Sequence, residues 1–143
     1  MADVLFVCVH NAGRSQMAKA LFNHLAQQRG LPFRALAAGT EPATRLHPEV
    51  VQVMAEVGLD LSGERPQLLT DALVRGARRV VVMGCAVDAQ ACPALLLKEV
   101  EDWGLPDPKG RPLPEVRAIR EAIRQKVEAL LTALEREGVA STA

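Results

Sequence analysis

The hydrophobic pattern of the chain alternates between short continuous apolar runs and longer stretches with helical spacing. The run from Val4 to Cys8 is almost wholly apolar, and the run from Arg79 to Gly84 is rich in valine. Such runs are typical of strands that are buried on both faces of a parallel sheet. Phe33 to Ala38 is interpreted as a further strand that ends at Gly39.

Apolar residues spaced three and four positions apart predict helices around these strands. Glycine and proline mark where most of the helices begin or end. The predicted helices cover Ser15 to about Gln28, a segment that opens at Pro48 and stops before Gly58, a short segment from Thr70 to Gly76, and about Glu115 to Glu137, with Gly138 as its end. A long connection from Cys85 to about Leu113 precedes the last helix. Strands and helices in alternation predict an open α/β fold.

The composition is that of an ordinary globular protein and suits one domain over residues 1–143. The chain is 49% apolar and 24% charged, which argues against a disordered or collagen-like protein. Its 17 basic and 17 acidic residues cancel, and it has few aromatic residues and no tyrosine, so we expect no nucleic acid or membrane partner. The longest apolar stretch falls far short of the about 20 residues that span a bilayer. The amino terminus lacks the basic region of a secretory signal, so we expect a cytoplasmic protein.

Three cysteines, Cys8, Cys85 and Cys92, would be kept reduced in the cytoplasm. A structural disulfide framework is therefore not expected, and catalytic or redox use is favoured. The spacing of Cys85 and Cys92 is wider than that of zinc ligand pairs, and no histidine lies near them, so we predict no metal and no cofactor. The alternative is that both are small apolar residues in a loop.

The segment from Cys8 to Ser15 joins the first strand to the first helix and carries the clearest chemical signal. The N–H groups and positive dipole at the start of a helix attract a tetrahedral oxyanion and favour the thiolate of Cys8. Arg14 can donate to two oxygens of the anion, and the hydroxyl of Ser15 can donate to the thiolate. Asn11 and Gly13 have the conformational freedom to turn successive N–H groups inward. The residues expected to bind the substrate are Val9, His10, Asn11, Ala12, Gly13 and Arg14. The alternative is a buried strand cysteine and a solvent-facing arginine that lie six positions apart by chance.

The segment from Val4 to Ala18 resembles the phosphate-binding loop of the low-molecular-weight protein tyrosine phosphatase superfamily. Within it the chain is most similar to the thioredoxin-coupled arsenate reductases, over nearly its whole length. The other elements that carry the likeness are Ala38-Gly39-Thr40, Met83-Gly84-Cys85 followed by Cys92-Pro93, and the segment from Glu101 to Pro108. The expected fold is an open four-stranded parallel sheet with helices on both faces, and Cys8 lies where the strand order reverses.

The resemblance implies that three cysteines reduce arsenate in turn. The thiolate of Cys8 attacks arsenate, Cys85 then attacks Cys8 and releases arsenite, and Cys92 attacks Cys85 to leave a disulfide between Cys85 and Cys92. Thioredoxin would reduce that disulfide. A regular helix separates positions seven apart by about 10 Å, which is beyond disulfide reach, so the segment between them has to bend or partly unwind.

Asp107 precedes Pro108, and the resemblance implies that it is the general acid. A carboxylic acid that faces the anion can protonate the leaving oxygen, although an Asp-Pro pair by itself is more typical of a turn. Tyrosine phosphatases of the superfamily place aromatic residues after this pair, whereas this chain has Lys109-Gly110. A small inorganic oxyanion is therefore the expected substrate, with weak hydrolysis of simple aryl phosphates as a side activity.

Two other functions are alternatives. A low-molecular-weight phosphatase would act through a phosphocysteine on Cys8, and Cys85 and Cys92 would be dispensable. A phosphocysteine carrier of the sugar phosphotransferase type would leave Arg14 and Asp107 without a purpose, so it ranks third.

Four further residues are candidates for other roles. His10 is interpreted as a substrate contact, a solvent-exposed residue or a partner in a local hydrogen bond. His24 and His47 are interpreted as a helix-surface residue and a helix-start residue. Ala37 stands where some family members have a polar residue that helps to hold a monovalent cation, so cation dependence is left open.

Overall fold

The computed structural model describes residues 3–84 and 100–142, with side chains as far as residue 137. Within these ranges the chain forms strands and helices in alternation. The strands are β1 (Val4–Cys8), β2 (Ala35–Gly39), β3 (Arg79–Val82) and β4 (Val100–Asp102). The helices are α1 (Arg14–Gln28), α2 (Pro48–Ala55), α3 (Asp71–Gly76) and α4 (Leu113–Thr142).

The four strands form one parallel sheet in the order β2-β1-β3-β4. Val4 at the start of β1 pairs with Ala35 of β2 on one side and with Arg79 of β3 on the other. The chain leaves β1 for one neighbour and then crosses to the other, so the strand order reverses beside the carboxyl end of β1. Ligands of open α/β sheets bind in the crevice at such a reversal. The expected four-stranded parallel sheet is confirmed, and Cys8 is the last residue of β1.

Alternate side chains of β1 enter two separate apolar cores, one on each face of the sheet. Val4, Phe6 and Cys8 belong to the core that is shared with α1, α2 and α4. Leu5 and Val7 belong to the core on the side of α3. Successive side chains of a strand point to opposite faces, so a sheet covered on both faces needs apolar residues at every position. The expectation of helices on both faces is confirmed.

Three of the strands differ from the predicted pattern. The strand predicted from Phe33 begins two residues later, because β1 offers a pairing partner only from Val4 onwards. The strand predicted to reach Gly84 ends at Val82. β4 lies within the segment interpreted as a long connection, and all three of its residues are exposed, so it has no apolar pattern to reveal it.

The last helix is longer than predicted at both ends, since α4 runs from Leu113 to Thr142. Gly138 lies inside the helix, so its interpretation as the end of the helix is wrong. A glycine inside a helix costs about 1 kcal/mol relative to alanine, which a long helix tolerates. No helix in the described part of the chain is long and apolar enough to cross a membrane.

Candidate active site

The loop from Cys8 to Arg14 follows β1 and turns its carbonyl groups away from its own centre. Backbone N–H groups of the segment 40–47 hold these carbonyls: Thr40 donates to the oxygen of Cys8 (3.3 Å), Glu41 to Val9 (2.8 Å), Ala43 to His10 (3.0 Å) and His47 to Ala12 (3.0 Å). The C=O and N–H of a planar trans peptide point in opposite directions, so the N–H groups that follow these carbonyls point inward. Inward N–H groups at the start of a helix form an anion-binding nest.

The sulfur of Cys8 is buried at the base of this loop, with the side chain 4% exposed. The N–H of Asn11 donates to Sγ at 3.2 Å, and Oγ of Ser15 lies 2.9 Å from it. Nδ2 of Asn11 donates to the same Oγ at 2.8 Å. Because that oxygen already accepts a hydrogen bond, its own proton is available to the sulfur. Donors of this kind stabilise a thiolate.

Asn11 adopts the left-handed conformation, with φ at 51°, as the sequence suggested it could. Its buried Oδ1 accepts hydrogen bonds from Nε2 of Gln16 at 2.9 Å and from the N–H of Gln67 at 2.9 Å. The sequence analysis assigned no role to either glutamine: Gln16 lies within the segment that resembles the phosphate-binding loop, and Gln67 lies far outside it. Nε2 of Gln67 also donates to the carbonyl of Ala37 at 2.7 Å. The loop conformation is therefore tied to β2 and to the segment that follows α2.

Arg14 is 9% exposed, which rules out the solvent-facing alternative. Its Nη1 donates to the carbonyl of Met83 at 3.1 Å and to the carbonyl of Leu105. These two bonds fix the guanidinium between the end of β3 and the segment after β4. Because both engage Nη1, the Nε and Nη2 edge of the fork is the edge suited to pair with two oxygens of an anion.

Cys8 and Arg14 open into one pocket of about 370 Å³, and Asp107 forms part of its wall. The other lining residues are Val9, His10, Ala12, Gly13, His47, Gly84, Leu105 and Pro106. The exposed carboxylate of Asp107 accepts the N–H of Lys109 at 3.0 Å. The structure thus brings the loop, the arginine and the predicted acid together at the carboxyl edge of the sheet.

No Phe, Tyr or Trp is among the described residues that line this pocket. Trp103, which the sequence places closest to Asp107, is buried in the core instead. Its ring centroid lies 5.4 Å from that of Phe6. The described walls therefore hold no ring-stacking slot for a phosphotyrosine side chain.

Gly13 also contributes through its missing side chain. Its φ is −138°, outside the left-handed region. A Cβ at this position would lie 2.9 Å from Cγ of Pro108 and 3.2 Å from Cδ2 of His47. The missing side chain lets two rings approach the loop backbone.

Comparison with known protein families agrees with this geometry. The family model of the low molecular weight phosphotyrosine protein phosphatases matches residues 3–140. The chain belongs to this family. A putative arsenate reductase of Halobacterium salinarum is 40% identical to it over 127 residues, which cover 85% of each chain.

Two solved structures extend the comparison to the fold. An arsenate reductase in the phosphate-binding state is 31% identical, with a TM-score of 0.79, over 93% of this chain and 98% of the other. A thioredoxin-dependent arsenate reductase of Corynebacterium glutamicum is 35% identical, with a TM-score of 0.76. That match covers 96% of this chain but 63% of the Corynebacterium chain.

One histidine of this phosphatase-family protein lies in the loop, and a second lies beside it. Nδ1 of the exposed His10 is 3.0 Å from the carbonyl of Glu41, and because a carbonyl only accepts, Nδ1 carries the proton. His47 precedes α2, as predicted, but it also lines the pocket, which the sequence analysis missed. Burial lowers the pKa of His47 below its usual value, although the carboxylates of Glu49 and Asp107 partly oppose this. The neutral imidazole is therefore favoured at pH 7.

The two downstream cysteines, Cys85 and Cys92, lie outside the described residues. Gly84, the last described residue before Cys85, lines the pocket and has a φ of 83°. A Cβ on Gly84 would lie 2.4 Å from the nitrogen of Leu105, so only glycine allows this approach. Within the described ranges, no group of three or more His, Cys, Asp or Glu side chains is placed to hold a metal ion.

Proposed function

We propose that this protein is an arsenate reductase in which Cys8, Cys85 and Cys92 act in turn and thioredoxin supplies the electrons. The observation that carries the proposal is the buried sulfur of Cys8 under an N–H-lined loop, with Arg14 and Asp107 in the same pocket. Tetrahedral arsenate matches the nest in shape and charge. The relatives described as arsenate reductases support the same substrate.

In the first step, the thiolate of Cys8 attacks the arsenic atom. A sulfur–arsenic bond forms, and a hydroxyl group of arsenate leaves as water after Asp107 gives it a proton. Arg14 and the loop N–H groups stabilise the charge on the other oxygens throughout. This step changes no oxidation state, so it needs no reductant.

The second step transfers two electrons. The thiolate of Cys85 attacks the sulfur of Cys8, a disulfide forms, and the electron pair of the broken sulfur–arsenic bond stays on arsenic, which leaves as arsenite. Cys92 then attacks Cys85, which frees Cys8 and leaves a disulfide between Cys85 and Cys92. The dithiol of thioredoxin reduces that disulfide. The position of Gly84 in the pocket wall supports this order, since Cys85 is bonded to it.

A second candidate is a phosphatase that forms a phosphocysteine on Cys8. The family to which the chain belongs favours it, because the same loop would bind a phosphate monoester. The lack of a Phe, Tyr or Trp side chain among the described lining residues favours a small oxyanion over a phosphotyrosine peptide. We propose that hydrolysis of aryl phosphates is a weak side activity.

NADPH consumption in the presence of arsenate, thioredoxin and thioredoxin reductase tests the proposal. With the unmodified protein, NADPH should be consumed continuously once arsenate is added. With Cys85→Ser, the addition of arsenate should cause no NADPH consumption. Cys92→Ser should release about one arsenite per protein and then stop, because Cys8 stays in a disulfide with Cys85.

Three results would contradict the relay, and a fourth would change only its reductant. Arsenate reduction by a Cys8→Ser protein would show that Cys8 is not the nucleophile. Arsenate reduction at the full rate by Cys85→Ser would show that Cys85 does not attack Cys8. Turnover with glutaredoxin and glutathione but not with thioredoxin would change the reductant alone. Phosphate ester hydrolysis without arsenate turnover would select the phosphatase.

A further inference from the structure

The turn that carries Asp107 has contacts of two kinds. Two are internal: Oδ1 of Asp107 accepts the N–H of Lys109 at 3.0 Å, and its carbonyl accepts Nε of Arg111 at 2.6 Å. These bonds shape the turn, but they cannot fix its distance from Cys8. That distance depends on contacts with other elements.

Three such contacts flank Asp107 among the described residues. Arg14 donates to the carbonyl of Leu105 on one side. The buried ring of Pro108 packs over Gly13 of the anion-binding loop. On the far side, the N–H of Gly110 donates to Oε1 of Glu49 at 3.1 Å. The last contact is the least expected, because Glu49 belongs to the first turn of α2 and to no part of the loop motif.

The residue before α2 takes part in the same arrangement. His47 occupies the N-cap position, where Ser, Thr, Asp or Asn is preferred, yet its side chain makes no capping hydrogen bond. Its backbone N–H donates to the carbonyl of Ala12, which holds the helix start against the loop. Its ring shares with Pro108 the space above Gly13. The imidazole therefore does not cap the helix. It lies in the pocket wall, beside the turn that carries Asp107.

We propose that His47 and Glu49 are positioning residues for the general acid: the first turn of α2 holds the 107–110 turn over the anion-binding loop and thereby keeps Asp107 at the pocket. The inference rests on the proposed reduction of arsenate with Asp107 as acid. Glu49 contacts the turn through Gly110, and His47 supports it beside Pro108. Neither residue has to touch the substrate for this role.

Glu49 offers a test that separates its hydrogen bond from its charge. Glu49→Ala removes both, whereas Glu49→Gln removes the charge but keeps an oxygen that can accept from Gly110. A displacement of a catalytic group by about 1 Å can cost two orders of magnitude in rate, so a loosened turn in Glu49→Ala should lower kcat for arsenate reduction at least about tenfold. KM should change much less, because the loop and Arg14 still hold the oxyanion.

Glu49→Gln should retain kcat within about twofold of the unmodified protein, since an amide oxygen accepts the same N–H. Gln52→Ala, an exposed change one turn further along α2, is the matched control and should have no effect. The rate of Cys8 alkylation should be equal in all these proteins, which shows that the loop is intact. Asp107→Asn measures the full loss of the acid.

The outcomes separate this inference from the function on which it rests. If the unmodified protein does not reduce arsenate, the proposed function fails. If it does, and Asp107→Asn slows it while Glu49→Ala matches Gln52→Ala, the positioning role is wrong. Equal losses in Glu49→Ala and Glu49→Gln would also overturn it, because the charge rather than the contact would then matter.

His47→Asn gives a second test in which stability and activity move in opposite directions. Asparagine at an N-cap accepts a helix N–H, so the melting temperature should rise. The ring beside Pro108 is lost, so kcat should fall at least about threefold with little change in KM. A variant that is more stable and fully active would contradict a role for the imidazole.

Discussion

At the scale of single residues, Ser15 illustrates how one hydroxyl orients the chemistry of another side chain. Asn11 donates to the oxygen of Ser15, which leaves the hydroxyl proton free to donate to a thiolate on Cys8 at 2.9 Å. Loss of a hydrogen bond to a charged group costs about 1.5–3 kcal/mol. Ser15→Ala should therefore lower the thiolate population and slow the alkylation of Cys8 by iodoacetamide at pH 7 about tenfold.

The matched control is Ser62→Ala, an exposed change far from the loop in sequence. It should leave the alkylation rate unchanged. Equal rates in Ser15→Ala and the unmodified protein would mean that the Ser15 hydroxyl does not stabilise the thiolate.

Site residues that are close to one another in the sequence could be predicted, whereas those that reach the site from distant positions could not. Cys8, Asn11 and Ser15 lie within eight positions, so their hydrogen bonds follow from a local motif. Gln67 reaches Asn11 across 56 positions, and no pattern within a short window reveals such a contact. His47 was identified as a helix start because of Pro48, but its place in the pocket depends on how α2 packs.

At the scale of elements, the junction after β3 depends on Gly84. A side chain there would meet the backbone of Gly104 and Leu105, and the φ of 83° is unfavourable for other residues. Gly84→Ala should lower the free energy of unfolding by about 2–4 kcal/mol, combining conformational strain with the clash. Urea denaturation measures this loss.

Gly30→Ala is the matched control, because Gly30 also has a positive φ, of 68°, but a Cβ there meets nothing within 4 Å. Its cost should be the strain alone, about 1–2 kcal/mol. Similar losses at both positions would mean that the contact with Leu105 does not constrain the junction.

Strands and helices could be predicted where burial requires a recognisable pattern of apolar residues in the sequence. β1 is buried at every position, and its bounds match the apolar run from Val4 to Cys8. β4 is exposed at all three positions, so pairing with β3 rather than its own composition defines it. The end of α4 lies beyond the predicted one, because a single glycine such as Gly138 is only a weak helix breaker.

At the scale of the whole molecule, Glu56 joins α2 to the long final helix. Its carboxylate accepts from Nη2 of Arg117 at 2.7 Å and from Nη1 of Arg120 at 3.0 Å. These bonds lower the pKa of Glu56 to about 2. A carboxylate whose pKa is lower in the folded state adds stability above its unfolded pKa and loses it as the pH falls to the folded pKa.

The urea concentration at the midpoint of unfolding should fall between pH 5 and pH 2. This fall should be smaller in Glu56→Gln than in the unmodified protein. Glu135→Gln, an exposed change elsewhere on α4, serves as the control and should keep the slope of the unmodified protein. Parallel curves for Glu56→Gln and the unmodified protein would show that the contact between the two helices does not contribute to acid sensitivity.

The outward carbonyls of the anion-binding loop have a consequence for selectivity. Hydrogen bonds from the segment 40–47 hold the loop through the protein's own backbone, which lowers the conformational entropy that is lost when an anion binds. A preorganised anion-binding loop accepts both arsenate and phosphate, because the two dianions are similar in shape and size. Discrimination between them then rests on redox chemistry after binding, since arsenic(V) accepts two electrons from a pair of thiols that form a disulfide and phosphorus(V) does not. Phosphate would act as a competitive inhibitor, and the flux through the enzyme would follow the ratio of the two ions.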